Sequence, residues 1–245
     1  TEHETKQVLN VYGIPVNVTE LAESPEDAVQ KAERIGYPVA LKIHSQDILH
    51  KTEANGVHLN LGDGTEVLEA YEAVLSGARQ LDPHARVEGV TLQPMVPKID
   101  MEIILGTKKD KDFGPVILFG TGGVLTEVFR DRAIGFPPLN RTLARMMMRE
   151  TKAYELLQGF RNRAGADLSA LEEIMIRLAQ LVVDFPEVEE LDINPLATIG
   201  GEFLALDARM TIDSDPAVKA PFHLVISPYP DQYESTAWTK DGVKL

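Results

Sequence analysis

The residue pattern predicts an α/β protein made of two α+β subdomains that meet near residue 95. Three observations carry this expectation. Stretches with apolar residues at helical spacing alternate with short β-rich runs along the first half of the chain. Hydrophobic residues make up 44% of the 245 positions, enough for a packed core. That length suits one large domain or two subdomains, and the runs divide into 1–95, 96–212 and a connector over 213–245.

Taken in order, 4-ETKQVLNVYG-13 reads as a short helix stopped by Gly13. A second helix spans 24–36: Ser24 caps it, Pro25 suits its first position, Asp27 completes a capping-box pattern, and Ala28, Val29, Ala32 and Ile35 share one face. The strand 38-PVALKI-43 puts Val39, Leu41 and Ile43 on one side and Lys42 on the other. A polar loop leads to strand 57–61, helix 65–80 and a strand near 87–96. The second half opens with strands 101–106 and 115–119 and the turn 120-GTGG-123, with a return strand within 124–134. Helices over 139–158 and 168–184 follow, and a hairpin over 189–210 closes the fold.

Composition narrows the function. A net charge of −14 argues against a general nucleic-acid binder, which needs a basic footprint. The absence of cysteine excludes a disulfide framework, a thiolate zinc site and a cysteine nucleophile, and fits a reducing cytoplasm. No apolar run approaches the ~20 residues of a membrane span, and the N-terminus is polar, so no membrane partner is expected. Thr1 opens the chain without an initiator Met, so a domain cut from a longer protein is expected.

Several residues are polar where an apolar one would be easier to bury. With Gly200-Gly201 as a two-residue loop, paired positions of the last hairpin place Asn194 opposite Asp207. One amide oxygen and one carboxylate then converge, a donor set suited to a hard cation such as Mg²⁺; a turn signal beside a strand-ending aspartate accounts for the same letters. Lys42 needs a counter-charge or a wet cleft, which a polyphosphate would supply, unless it snorkels from a strand edge. Glu102 sits in 101-MEIIL-105, either on a ligand or on a half-exposed face. The 120-GTGG-123 turn has the glycines of an anion-binding nest, or is only a turn. In 49-LHKTEANG-56, His50 has the chemistry of a phosphoryl acceptor, or is a surface histidine. Gln93, Pro94, Met95 and Val96 form an extended connector where a flat heterocycle could dock, or a plain linker.

As a set, 12-YGIPV-16, 36-GYPVALKI-43, 49-LHKTEANGV-57, 93-QPMV-96, 101-MEIILG-106, 112-DFGPVILFGTGG-123, 191-LDINPLAT-198 and 204-LALDAR-209 resemble an ATP-grasp domain. More narrowly, the chain is similar to the ATP-binding β part of the ADP-forming acyl-CoA synthetases, relatives of succinyl-CoA synthetase, over residues 1 to about 212. The resemblance implies an ATP-grasp fold with the nucleotide cleft between the two subdomains, and ATP or ADP and Mg²⁺ as cofactors. It implies Lys42 on the phosphates, Gln93, Pro94, Met95 and Val96 around the adenine, Glu102 on the nucleotide, Asn194 and Asp207 on Mg²⁺, and His50 as a phosphoryl relay. One departure is Asn55-Gly56, where the family often has Gly-Gly. The implied reaction is that of an acid–thiol ligase, acyl-CoA + ADP + phosphate ⇌ carboxylate + CoA + ATP. The CoA-binding part and the first phosphohistidine would come from a partner domain or α subunit. Residues 222–245 resemble the connector that precedes an acetyltransferase domain in some bacterial fusions. That implies an alternative, a nucleotide-sensing regulatory module of a protein lysine acetyltransferase.

Overall fold

The structure, a computed structural model, describes residues 1–48, 51, 53–96, 98–123, 131–159 and 165–213. Two antiparallel sheets organise them. The first runs in the order β1-β4-β2-β3, from β1 (Glu20–Ala22), β2 (Val39–Ser45), β3 (Val57–Leu61) and β4 (Val87–Pro94). The period-2 alternation sends Val39, Leu41 and Ile43 of β2 and Val90 and Leu92 of β4 to one face. There they pack with α2 (Pro25–Ile35) and α3 (Gly64–Leu81), through Ala28, Ala32, Val67, Tyr71 and Val74. Helix α2 starts as its sequence requires: Ser24 Oγ accepts the Asp27 N–H at 3.1 Å, and Pro25 fills a position whose amide would have no helical partner. The reciprocal half of the expected capping box does not form. The Asp27 carboxylate turns instead to Lys31, one turn on at 2.6 Å, and takes the N–H of Glu23. Strand β1, three residues long, is an element the sequence pattern did not reveal.

The second sheet runs β10-β8-β5-β6-β7, with β9 pairing the far end of β8. Its strands are β5 (Met101–Asp110), β6 (Gly114–Thr121), β7 (Arg132–Gly135), β8 (Val188–Ile199), β9 (Glu202–Ala205) and β10 (Ala208–Ile212). On one face Ile103, Leu105, Ile117 and Phe119 pack with α6 (Leu168–Asp184), whose stripe of Leu171, Ile174, Met175, Leu178 and Leu181 is buried as its spacing predicts. The expected helix over 139–158 is two helices, α4 (Arg141–Arg149) and α5 (Lys152–Leu157). The break has a local cause. Thr151 caps α5 through its side chain, and the buried Asp131 carboxylate accepts the N–H groups of Lys152 (2.8 Å) and Ala153 (2.9 Å). First-turn amides satisfied this way no longer need a preceding helical turn.

Helix α1 (Glu2–Val11) precedes the first sheet in sequence but buries Leu9, with Ile14 after it, in the second core. The chain therefore begins on one subdomain, crosses to the other and returns, which carries the first turn of α1 to the junction between them.

Close approach of β1 to β4 gives a direct test of this packing. Gly89 has φ +144°, and a Cβ there would fall well inside contact distance of the Ala22 carbonyl oxygen. Neither atom can retreat without breaking the Ala22–Val90 pairing. Gly89→Ala combines backbone strain with overpacking and is expected to cost about 3 kcal/mol, lowering the melting temperature by roughly 6–12 °C in a thermal unfolding scan.

Candidate functional site

The closing hairpin turns at Gly200 (φ 59°) and Gly201 (φ 92°), both in the left-handed region glycine tolerates. Pairing starts at Ile199–Glu202 and continues to Leu196–Ala205. It then holds to the positions of interest: the Asn194 N–H donates to the Asp207 carbonyl at 3.1 Å, and the Leu206 N–H to the Pro195 carbonyl at 3.0 Å. Asn194 thus stands opposite Asp207. On its other side β8 carries a bulge, because β5 pairs Ile103 with Leu196 and Leu105 with Ile193, leaving Asn194 and Pro195 opposite Ile104 alone. A bulge of this kind bends a strand and re-aims a side chain; here Asn194 is exposed next to Ile193, which is buried in the second core.

Across from the hairpin, the second face of the first sheet presents Lys42, Thr91 and Gln93, all buried. Helix α1 and the 206–207 segment close over them, and a charged cluster forms where the two subdomains meet. Lys42 Nζ lies 3.0 Å from Glu2 Oε1, 3.3 Å from the Leu206 carbonyl oxygen and 3.7 Å from Asp207 Oδ2. Lys51 Nζ pairs with Glu2 Oε2 and lies 3.5 Å from Asp207 Oδ1. Lys6 Nζ contacts Glu2 Oε1 at 2.9 Å and the Leu206 carbonyl at 2.8 Å. The Gln93 side-chain amide donates to Glu2 Oε1 at 2.7 Å. Three ammoniums therefore face two carboxylates, which leaves the cluster with one surplus positive charge.

The electrostatics follow from this count. Burial opposes ionisation of Glu2, but the ammoniums of Lys42, Lys6 and Lys51 together outweigh it and hold its carboxyl well below the usual range. Burial draws the Lys6 ammonium down to about 8, with Glu2 opposing. Lys51 moves the other way: Glu2 and Asp207 overcome its desolvation and raise it. Burial pushes the Asp207 carboxyl up; Lys42 pulls it down, but the charge of Glu2 adds to the rise. Asp207 is thus a carboxylate short of positive charge beside ammoniums that another carboxylate holds more closely.

Glu102 lies half-buried on β5, and a Cβ on Gly123 would collide with its Oε2, so the GTGG turn lies against this carboxylate. Within that turn the Gly122 N–H donates to the Glu102 carbonyl at 2.9 Å and the Thr121 N–H to the Asp131 carbonyl at 3.3 Å. Those two amides serve the sheet rather than an anion nest. Pro94 ends β4 with its carbonyl accepting from Asn17 Nδ2 at 3.2 Å, the Met95 N–H donates to the Pro38 carbonyl at 3.1 Å, and Val96 is half-buried. His50 lies outside the described residues. Asn55 takes φ 50°, a conformation asparagine tolerates better than most side chains, which accounts for its standing where glycine is common.

Sequence reading missed Glu2 and Lys6 and gave Lys51 no role. The available signal was the (i, i+4) spacing of Glu2 and Lys6, which on a short polar helix reads as a surface ion pair. Among the described residues no group of three His, Cys, Asp or Glu side chains could hold a metal. A divalent cation at Asp207 and Asn194 would therefore complete its shell with water and phosphate oxygens, the habit of Mg²⁺ in nucleotide sites. The donor set fits such a group. No described helix is long and apolar enough to cross a membrane.

This geometry can be set beside known proteins. Residues 1–212 match the model of the ATP-grasp domain. The chain is 37% identical over 211 residues to the acetate–CoA ligase [ADP-forming] I subunit beta of Pyrococcus furiosus, covering 86% of this chain and 90% of that one. It is 40% identical over 208 residues to acetate–CoA ligase [ADP-forming] I of Archaeoglobus fulgidus, covering 85% of this chain but 30% of that longer one. Among solved structures, the acetyl-coenzyme A synthetase 1 of Ca. Korarchaeum cryptofilum in complex with coenzyme A and Ca-AMPCP superposes with a TM-score of 0.82 at 38% identity, over 86% of this chain and 92% of that chain. The same synthetase with coenzyme A and Mg-AMPPCP, its phosphohistidine segment pointing towards the nucleotide binding site, gives a TM-score of 0.74 at 35% identity, over 86% and 92%. With a lysine-lined junction between two antiparallel sheets and this likeness along its described length, the chain belongs to the ATP-grasp family, beside the beta subunits of ADP-forming acetate–CoA ligases.

Proposed function

We propose that this chain is the nucleotide-binding part of an ADP-forming acyl-CoA synthetase, an acid–thiol ligase. It binds ATP or ADP with Mg²⁺ and passes the terminal phosphoryl group between nucleotide and a phosphohistidine brought by a partner domain or α subunit. The supporting observation is the meeting of Lys42 and Lys51 with Asp207 at the junction of the two subdomains. Phosphoryl transfer asks mainly for positioning and charge neutralisation. Lys42 and Lys51 supply positive charge for the phosphates. Asp207 and Asn194 supply oxygens for Mg²⁺, which when bound would neutralise charge developing on the transferred group. Glu102 and the 93–96 connector border the space for the nucleoside, Gln93 by its backbone, since its amide already serves Glu2. His50 is the proposed relay histidine. The boundaries 1–95 and 96–212 are proposed as the two subdomains, with α1 packed on the second.

The single-chain relative is more than three times as long as the matched segment, so the acyl and CoA chemistry belongs to a partner in this proposal. The regulatory alternative rests on the 222–245 tail, outside the described residues, and the relatives above are named as ligases. The test is calorimetric titration of the chain with ATP and ADP, with and without Mg²⁺. Saturable binding that tightens with Mg²⁺ is expected; no uptake of either nucleotide would overturn the reading.

A further inference from the structure

Glu2 has no place in the site as the sequence describes it, yet each of its oxygens is taken. Oε1 accepts from Lys6 (2.9 Å), Lys42 (3.0 Å) and Gln93 (2.7 Å), and Oε2 pairs with Lys51. Asp207 stands further from two of the same ammoniums, 3.7 Å from Lys42 and 3.5 Å from Lys51. Two carboxylates thus compete for two lysines, and Glu2 holds the closer contacts. The two carboxylates differ in mounting. Glu2 is fixed in the first turn of α1, whose Leu9 is locked in the second core, and Thr1 caps that turn. The lysines have long, rotatable stems and follow whichever anion is nearer.

The geometry points to Glu2 as a positioning residue: by holding the Lys42 and Lys51 ammoniums it keeps the Asp207 carboxylate open to a divalent cation. Without Glu2 both ammoniums would close on Asp207, pairing the oxygen donors that a cation needs. Glu2 also ties the first sheet, through Lys42 and Gln93, to a helix seated on the second, beside the direct contacts of Lys42 with the Leu206 carbonyl and of Lys51 with Asp207. This role rests on the nucleotide reading above.

The experiment measures how much Mg²⁺ tightens ATP binding, by calorimetry of the 245-residue chain in Mg²⁺ and in EDTA. In Glu2→Gln the Mg²⁺-dependent gain is expected to shrink about tenfold, the scale of one charge-assisted contact, while metal-free ATP binding stays within about threefold of wild type. Removing one buried charge from an ion-paired cluster can itself unfold a chain. Glu2→Gln/Lys6→Met, which keeps the cluster's net charge, is therefore measured alongside, with thermal melting of both. A wild-type Mg²⁺ gain in folded variants overturns the role. An equal loss with and without Mg²⁺ overturns it too, because that is the mark of a structural residue. A wild type that binds no ATP overturns the nucleotide reading and this role with it, whereas a Mg²⁺-responsive wild type with an unchanged variant overturns the role alone.

Discussion

Lys42→Met is expected to weaken binding of Mg²⁺–ATP by between about 10- and 150-fold while the chain still folds. The range is that of a hydrogen bond to a charged group, about 1.5–3 kcal/mol, converted at 1.4 kcal/mol per factor of ten. Methionine keeps the length and apolar stem of the lysine, so β2 retains its packing between β3 and β4. Glu2 retains Lys6, Lys51 and Gln93, so no carboxylate is left bare. Lys42→Arg is not expected to restore affinity, because a planar fork cannot occupy the place of a compact ammonium held between Glu2 and the Leu206 carbonyl. Calorimetry with melting curves on all three proteins checks this. An affinity within threefold of wild type in a folded Lys42→Met would remove Lys42 from the site and leave it as a structural counter-ion of Glu2.

The residues in that argument differ in how far the sequence exposed them. The opposition of Asn194 and Asp207 follows from local rules: two glycines fix the turn, the turn fixes the register, and the register extends without slippage for six pairs to 194 and 207. Lys42 was visible as an ammonium in an apolar strand, but the alternation of β2 says only that it faces away from the core. What it faces depends on Glu2, 40 positions away in sequence, and Gln93 joins the same carboxylate across 91 positions. No window-based pattern spans such distances. The same limit hid the attachment of α1. Its apolar spacing shows that one side is buried, not that Leu9 belongs to a sheet that begins ninety residues later. The break between α4 and α5 was missed for a related reason: its decisive cap, Asp131, lies about twenty residues upstream, just ahead of β7. Local chemistry was legible and long-range charge pairing was not, so the hairpin register was foreseen and the carboxylate that holds the lysines was not.

Asp207→Asn is expected to remove most of the contribution of Mg²⁺ to nucleotide binding, on the order of 100-fold or about 3 kcal/mol, with little effect on binding in EDTA. The amide keeps the shape of the side chain and one oxygen but not the charge that a hard cation prefers. Two further readouts separate this from damage to the fold. Burial and the charge of Glu2 raise the Asp207 carboxyl against the pull of Lys42, so the folded state holds this proton more tightly than the unfolded chain does. A group with a raised folded-state pKa stabilises the fold when protonated and loses that contribution as pH rises through the folded value. At neutral pH the ionised Asp207 therefore works against stability, and Asp207→Asn should melt at the same temperature as wild type or above it. The binding pH profile runs in the opposite sense. A cation competes with the proton for the carboxylate, so Mg²⁺-dependent affinity is full above the Asp207 pKa and falls on acidification. That fall begins at higher pH than an ordinary aspartate near ~3.9 would give. The variant should lack this acid limb. A side chain whose charge costs the fold stability yet carries the metal dependence would mark the junction as built for a ligand. If Asp207→Asn instead lowered the melting temperature and bound Mg²⁺–ATP as wild type does, the aspartate would be part of the lysine scaffold and the cation site would have to lie elsewhere.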